Sequence, residues 1–281
     1  MESILESSQE IYCRAASEYP PYAVVLALSG GSDSLTTYYV AKKLGIKIDF
    51  ILHVNTRTGI KETTEFVRSF AESTGIPYIE ADAKDTYENY VMRKGFYGRG
   101  EEAHAFAYHT LKRQHIATAL SKNIRHGCKG RNILLLNGAR VVESENRAKN
   151  FANKEIRRSQ KNSPNIWVNL IYHWSKTQCA DLLSGCNAPC NPMSSELCRS
   201  GECQCGAMQS QQLRQEASIL FPEWGKWLDD LERKVMQIFP WGWGQPIPKG
   251  WQFKRQGQLR LFARDDFQPM CSSCVKSSEV S

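Results

Sequence analysis

Ala23-Val24-Val25-Leu26-Ala27-Leu28-Ser29-Gly30-Gly31-Ser32-Asp33-Ser34 decides how this chain is read: six apolar residues run into a turn of small residues, and a helix-patterned stretch, 35–44, follows at once. A strand that enters such a turn and then a helix leaves free backbone N–H groups and a helix N-terminus around one anion-sized hollow. Gly30 and Gly31 let the backbone approach a phosphate, Ser29 and Ser34 add hydroxyl donors, and Asp33 can cap the helix or help to hold Mg²⁺. For so short a string the alternative is an ordinary Gly-Ser turn between strand and helix. The Gly-Lys-Ser/Thr ending of a Walker loop is absent, which disfavours phosphoryl transfer of the kinase type.

Working outward, strand patterns at 23–28, 47–53, 77–82, 132–137 and 166–170 alternate with helical patterns at 34–44, 60–74 and 101–124. Ala103, Phe106, Ala107, Leu111, Ile116 and Leu120 fall largely on one face of the last of these. The alternation predicts an α/β fold, a Rossmann-like, mostly parallel sheet flanked by helices, with ligands beyond the carboxyl ends of the strands. A Cys-rich loop and a C-terminal helical appendage follow, with helical patterns at 207–220 and 222–238. The expected division is a helical segment at 1–20, a nucleotide-binding α/β domain at 21–185, a Cys-rich metal or iron–sulfur loop at 186–206, the helical appendage at 207–268 and a flexible tail at 269–281.

The net charge of +7 is unevenly spread, because 111–161 holds thirteen Lys and Arg against Glu143, Glu145 and Glu155. Such a block suits a polyanion, either a nucleotide's phosphates or a nucleic-acid backbone, or else forms a solvated basic face. No run of eighteen apolar residues occurs, and Met1-Glu2-Ser3-Ile4-Leu5-Glu6 has no basic region leading into an apolar stretch, so a soluble, cytoplasmic protein is expected.

Ten cysteines in such a chain point to metal or redox chemistry rather than a disulfide framework. Five of them crowd together: Cys186, Cys190, Cys198, Cys203 and Cys205. That density of soft ligands suits Zn²⁺ or an iron–sulfur cluster, with Cys186, Cys198, Cys203 and Cys205 as the favoured ligands and Cys190 as a fifth candidate or a sulfur relay. Cys271 and Cys274 have redox-motif spacing without a βαβ setting. His104 and His109 stand five apart, which on a helix makes a poor chelating pair.

A second signature, Asn137-Gly138-Ala139-Arg140-Val141-Val142-Glu143-Ser144-Glu145-Asn146-Arg147, closes the fourth strand. Arg140 and Arg147 offer multi-donor groups for phosphate, and Glu143-Ser144 can orient an arginine or accept from a ribose. The first string resembles the Ser-Gly-Gly-x-Asp-Ser loop of the ATP-pyrophosphatase and PAPS-reductase superfamily (PP-loop, adenine nucleotide alpha hydrolase-like). The second resembles the Gly-x-Arg-x-x-Glu-Ser-x-x-Arg element of its PAPS-reductase branch. The segment 53–67 resembles the one that lines the family's adenosine pocket, with His53, Asn55 and Thr56 at its start and Arg57 and Lys61 as departures that add charge. The segment 95–100 with His104, Lys112 and Arg113 resembles the substrate loop and the basic helix behind it, and Asn169-Leu170-Ile171-Tyr172-His173-Trp174 the lead into the last helix.

What the resemblance implies is an ATP pyrophosphatase, and among superfamily members the pattern is most similar to the PAPS-reductase-like component of Dnd/Ssp-type DNA phosphorothioation systems. Asp33, Ser34, Arg140 and Arg147 would then be catalytic, and Ser29, Gly30, Gly31, Ser32, Asp33, Ser34, His53, Asn55, Thr56, Gly138, Arg140, Glu143 and Ser144 would bind ATP. Arg99, His104, Lys112 and Arg113 would bind substrate. Mg²⁺ and a 4Fe-4S cluster, with Zn²⁺ as the alternative, are the implied cofactors. The implied partners are a cysteine desulfurase as sulfur donor, DNA or another nucleic acid as acceptor, a DNA-processing ATPase and a second copy of the chain in a homodimer, with no membrane. Alternatives are PAPS or APS reduction, tRNA thiolation and a non-catalytic nucleic-acid adaptor. Ser32 stands where many PAPS reductases carry Lys, and the Glu-Cys-Gly-type ending of the assimilatory enzymes is not found.

Overall fold

A computed structural model describes residues 2–128, 130–141, 155–159, 163–197 and 199–251. Its centre is a six-stranded sheet built from β1 (Ala23–Ala27), β2 (Phe50–Asn55), β3 (Tyr78–Asp82), β4 (Ile133–Asn137), β5 (Ile156–Arg158) and β6 (Asn165–Asn169), in the order β3-β2-β1-β4-β6-β5. Every pairing is parallel except β5 with β6. The strands β1 and β4 are buried along their whole length, as expected when helices cover both faces of a sheet.

The strand order reverses between β1 and β4. An open α/β sheet binds its ligands at that switch point, beyond the carboxyl ends of the strands. The two signatures, at 29–34 and 137–140, leave those two strand ends. The helices α1 (Glu2–Glu18), α2 (Ser32–Lys43) and α3 (Lys61–Thr74) lie on one face, where Ile11, Leu35, Val40, Val67 and Phe70 bury against Leu26, Leu134 and Val168. On α1, Ser8 accepts a 2.9 Å bond from the buried Trp174 indole.

The helical stretch expected at 101–124 is present but not regular. It runs as α5 (Glu101–Tyr108), a π-turn (His109–Arg113), α6 (Gln114–Leu120) and a second π-turn (Ser121–Arg125). Ile116, Leu120 and Ile124 cover the other face of the sheet against Val25, Leu52 and Leu135. Each π-turn inserts an extra residue and rotates the register, which brings Lys112 inward and leaves Arg113 half-buried.

A second core gathers α4 (Thr86–Lys94), α5, α8 (Pro192–Leu197), α9 (Gln211–Leu220) and α10 (Pro222–Met236), with α7 (Lys176–Gly185) packed against α2. Its largest members, Trp224, Trp241 and Trp243, anchor the appendage to the rest by indole bonds to Thr58 O (3.0 Å), Phe96 O (3.0 Å) and Gln204 O (2.9 Å). Residues 207–251 thus share one core with α4 and α5. No helix among the described residues is long and apolar enough to cross a membrane.

Candidate nucleotide-phosphate site

The loop after β1 is held in shape by its own serines. Ser34 Oγ donates to Gly31 O at 2.8 Å and accepts from Ser29 Oγ at 3.2 Å, while Gly31 N reaches Ser29 Oγ at 3.4 Å. Gly30 has φ +80°, and a Cβ there would press on Val67, Thr63 and Asn191, so both backbone strain and crowding require glycine. Both hydroxyls are thereby engaged within the loop. The donors left to an anion are the backbone N–H groups of the first turn of α2, which no side chain caps.

Asp33 does not cap that helix either; its carboxylate pairs with Arg140. Arg140 Nε lies 3.1 Å from Asp33 Oδ1 and Nη2 lies 3.3 Å from Oδ2, a side-on bidentate pair across 107 residues of sequence. Immediately before it, Gly138 lies so close to the loop that a Cβ would stand 2.7 Å from the Asp33 carbonyl carbon and 2.9 Å from Ser34 N. The two signatures therefore form one body. Ser32 is exposed and Asp33 half-buried, so this corner faces solvent. Glu143, Ser144 and Arg147 lie outside the described residues.

The expected adenosine-pocket residues serve mainly as supports. His53 is fully buried, with Nδ1 2.9 Å from Leu28 O, so it braces the strand just before the loop. Asn55 donates to Glu80 Oε1 at 2.9 Å and accepts from Arg57 N at 3.1 Å. Thr56 Oγ1 donates to Glu202 O at 2.9 Å, while Thr63 Oγ1 and Ile60 N bond Ser200 O and Gly201 O at 2.6 and 2.8 Å. The segment after β2 is thus a mooring for the Cys-rich loop. That loop also reaches the glycine turn, since Asn191 Nδ2 donates to Gly30 O at 2.9 Å and a Cβ on Gly31 would meet Ser200.

Burial holds the His53 pKa below its ordinary value of 6.5. The unfolded chain therefore takes up a proton near that pH that the folded chain refuses, and stability present above it declines as the pH falls toward the depressed folded pKa. His109 and His115 are lowered by burial in the same direction. The unfolding free energy from urea titrations is expected to fall as the pH drops below about 6.5, by up to about 1.4 kcal/mol per pH unit per proton, and less steeply in His53→Gln. A pH slope as steep in His53→Gln as in the wild type would show that His53 does not contribute to it.

Of the expected substrate residues, Arg99 is exposed on a loop whose Gly98 and Gly100 have φ of +85° and +114°. His104 is buried on α5. Lys112 is corrected: its ammonium is 2.6 Å from Glu202 Oε2, with both side chains almost wholly buried, so the charge is committed to the Cys-rich loop rather than to a substrate phosphate. Arg113 Nη2 is 3.4 Å from Ser159 O.

Cys203 and Cys205 are brought together. The Cys205 thiol donates to Cys203, which lowers the Cys203 pKa with help from nearby Lys112, and the same bond together with burial pushes Cys205 up. Cys186 packs instead at the end of α7, against the first core, and Cys190 is exposed. Cys198, Cys271 and Cys274 lie outside the described residues, among which no three His, Cys, Asp or Glu side chains gather as a metal-binding group. The described residues thus supply two adjoining thiols, short of the four ligands that a cluster takes. Asp33, whose oxygens retain lone pairs beside the Arg140 bonds, is the described carboxylate suited to Mg²⁺ at the loop.

Solved structures similar to this chain include the phosphoadenylyl-sulfate (PAPS) reductase of Candida auris in a phosphate complex, 16% identical, TM-score 0.46, over 67% of this chain and 83% of that one. The NMN synthetase of Francisella tularensis is 14% identical, TM-score 0.48, over 94% and 97% of the two chains. The U34-tRNA thiolase NcsA of Methanococcus maripaludis, solved with its 4Fe-4S cluster, is 15% identical, TM-score 0.45, over 91% and 88%. No curated protein matches the chain. The phosphoadenosine phosphosulfate reductase domain matches residues 23–207, which include both signatures and the loop moored to them, and the chain belongs to that family.

Proposed function

We propose that this chain is an ATP pyrophosphatase that breaks the α–β bond of ATP. An oxygen of the acceptor attacks the α-phosphorus, pyrophosphate leaves, and the adenylated acceptor then exchanges AMP for sulfur. The acceptor in this reading is a nucleic acid, most specifically DNA undergoing phosphorothioation; a cysteine desulfurase supplies a persulfide whose outer sulfur displaces AMP, and a thiol reductant then cleaves the resulting S–S bond and is itself oxidised to a disulfide. The observation that carries the reading is the bidentate pair of Arg140 and Asp33 at the uncapped start of α2.

Positioning and charge neutralisation account for the chemistry. Backbone N–H groups of the α2 first turn hold the phosphates, and Gly138 keeps the second strand end within reach of them. Arg140 supplies fixed positive charge where the bridging oxygen becomes an anion. Mg²⁺, held by Asp33 with the phosphate oxygens, would add neutralisation of the leaving pyrophosphate. No protein nucleophile is needed for this step. Ser32 in place of the lysine found in many PAPS reductases supports ATP over a nucleotide sulfate as ligand.

Incubation of the purified chain with ATP, Mg²⁺, nucleic acid, a persulfide donor and a thiol reductant is expected to release AMP and pyrophosphate in equal amounts, and without the sulfur donor pyrophosphate alone. Thioredoxin-dependent sulfite release from PAPS, without AMP release from ATP, would overturn the reading in favour of reduction.

A further inference from the structure

The sheet edge beyond β6 carries positive charge with no carboxylate paired to Arg113 or Arg157 among the described residues. The Arg157 guanidinium on β5 stands 5.8 Å from the centre of the Trp167 ring, and its Nε is screened from solvent with no hydrogen-bond partner among the described residues. Arg113 reaches the same face from the π-turn, through its 3.4 Å contact with Ser159 O. Ser159 Oγ in turn accepts from Trp167 Nε1 at 2.8 Å. Alternate residues of a strand share a face, so Arg157 and Ser159 both lie on the Trp167 side.

Among the described residues neither arginine has a carboxylate partner. Glu155, the nearest acid along the strand, is claimed by Arg14 and His173. Burial works against the charge of Arg157, the Tyr108 hydroxyl supports it, and Arg113 works against it again. Two guanidinium groups held together in a half-buried place need a counterion.

We infer that Arg113 and Arg157 form a subsite for a phosphate oxyanion, and that this oxyanion belongs to the backbone of the nucleic acid. Two further arginines stand near the starts of the strands: Arg158, on the opposite face of β5, lies 4.8 Å over the Tyr19 ring, and Arg131, just before β4, lies 4.1 Å over the Tyr22 ring. The strand starts lie at the end of the sheet opposite the loop at 29–34, within reach of the phosphates of a polymer but not of those of a nucleotide seated in that loop. The inference rests on the nucleic-acid reading of the acceptor. Its test reads binding, so absence of ATP cleavage in the wild type would leave it standing.

A labelled DNA oligonucleotide titrated with the full chain over a salt series provides that test. Arg113→Gln and Arg157→Gln are each expected to weaken binding about threefold to tenfold and to lower the salt slope by about one. Arg157→Lys, which keeps the charge without the planar fork, should recover part of the affinity and guards against loss of fold. Unchanged affinity and slope in both Gln variants would overturn the inference. Loss of competition by adenosine bisphosphate with DNA binding intact would also overturn it, assigning the anion to a nucleotide instead.

Discussion

Arg140→Gln is expected to lower AMP and pyrophosphate release by about 10²–10³-fold, the usual cost of removing one donor aimed at developing charge. The effect should fall on kcat more than on KM, because backbone N–H groups of α2 remain to bind the phosphates. Asp33→Asn should cost less than Arg140→Gln. If Asp33 acts by orienting Arg140 through the 3.1 and 3.3 Å contacts, the double variant should be little worse than Arg140→Gln alone. Steady-state rates for the four proteins measure that coupling directly. Additive losses would mean that the two side chains act separately.

Lys112→Met is expected to destabilise the fold by about 3–5 kcal/mol, since it strands the Glu202 carboxylate in a dry interior. Glu202 has one oxygen on Lys112 at 2.6 Å, and its other oxygen has no hydrogen-bond partner among the described residues. Replacing both partners, Lys112→Met with Glu202→Leu, should recover much of the loss, because a buried pair exchanged for apolar groups is close to neutral. Urea unfolding of the single and double variants provides the comparison. The single variant should also expose Cys203 to alkylation, since Glu202 ties the Cys-rich loop to Thr56 through its backbone. A Lys112→Met protein as stable as the wild type would show that the pair does not hold the loop.

Why the loop and the sheet are legible in the sequence while their supports are not follows from range. The run from Ala23 to Ser34 announces strand, turn and helix through nearest neighbours, and its strand and helix lie within two residues of where they were read. The resemblance puts Arg140 at the same site, and its contact with Asp33 brings the two signatures together. The contact between Lys112 and Glu202 spans 90 residues, and no local pattern marks it: a lysine beside Arg113 in a basic stretch reads as a phosphate ligand until burial is seen. Asn55 and Thr56 are equally ambiguous, because small polar side chains serve a ligand and a neighbouring loop by the same bonds.

Strand β5 escapes the sequence reading for another reason. Ile156-Arg157-Arg158 is short, charged and lacks an apolar run, as befits an edge strand with one partner, so strand propensity gives no sign of it. The π-turns within 101–125 are likewise silent, because an inserted residue shifts the apolar face without ending the helical pattern. The spacing groups Cys186 with Cys203 and Cys205; the fold brings the latter two together and packs Cys186 at the end of α7.

For this chain to cleave ATP, the ends of β1 and β4 must close around one polyphosphate. A crystal structure of the chain with Mg²⁺ and a non-hydrolysable ATP analogue measures this most directly. Phosphate oxygens within hydrogen-bond distance of the backbone N–H groups of Ser32, Asp33 or Ser34, with the Arg140 guanidinium on the same phosphates, is the predicted result. An analogue bound elsewhere, or a filled loop from which Arg140 has turned away, would contradict it.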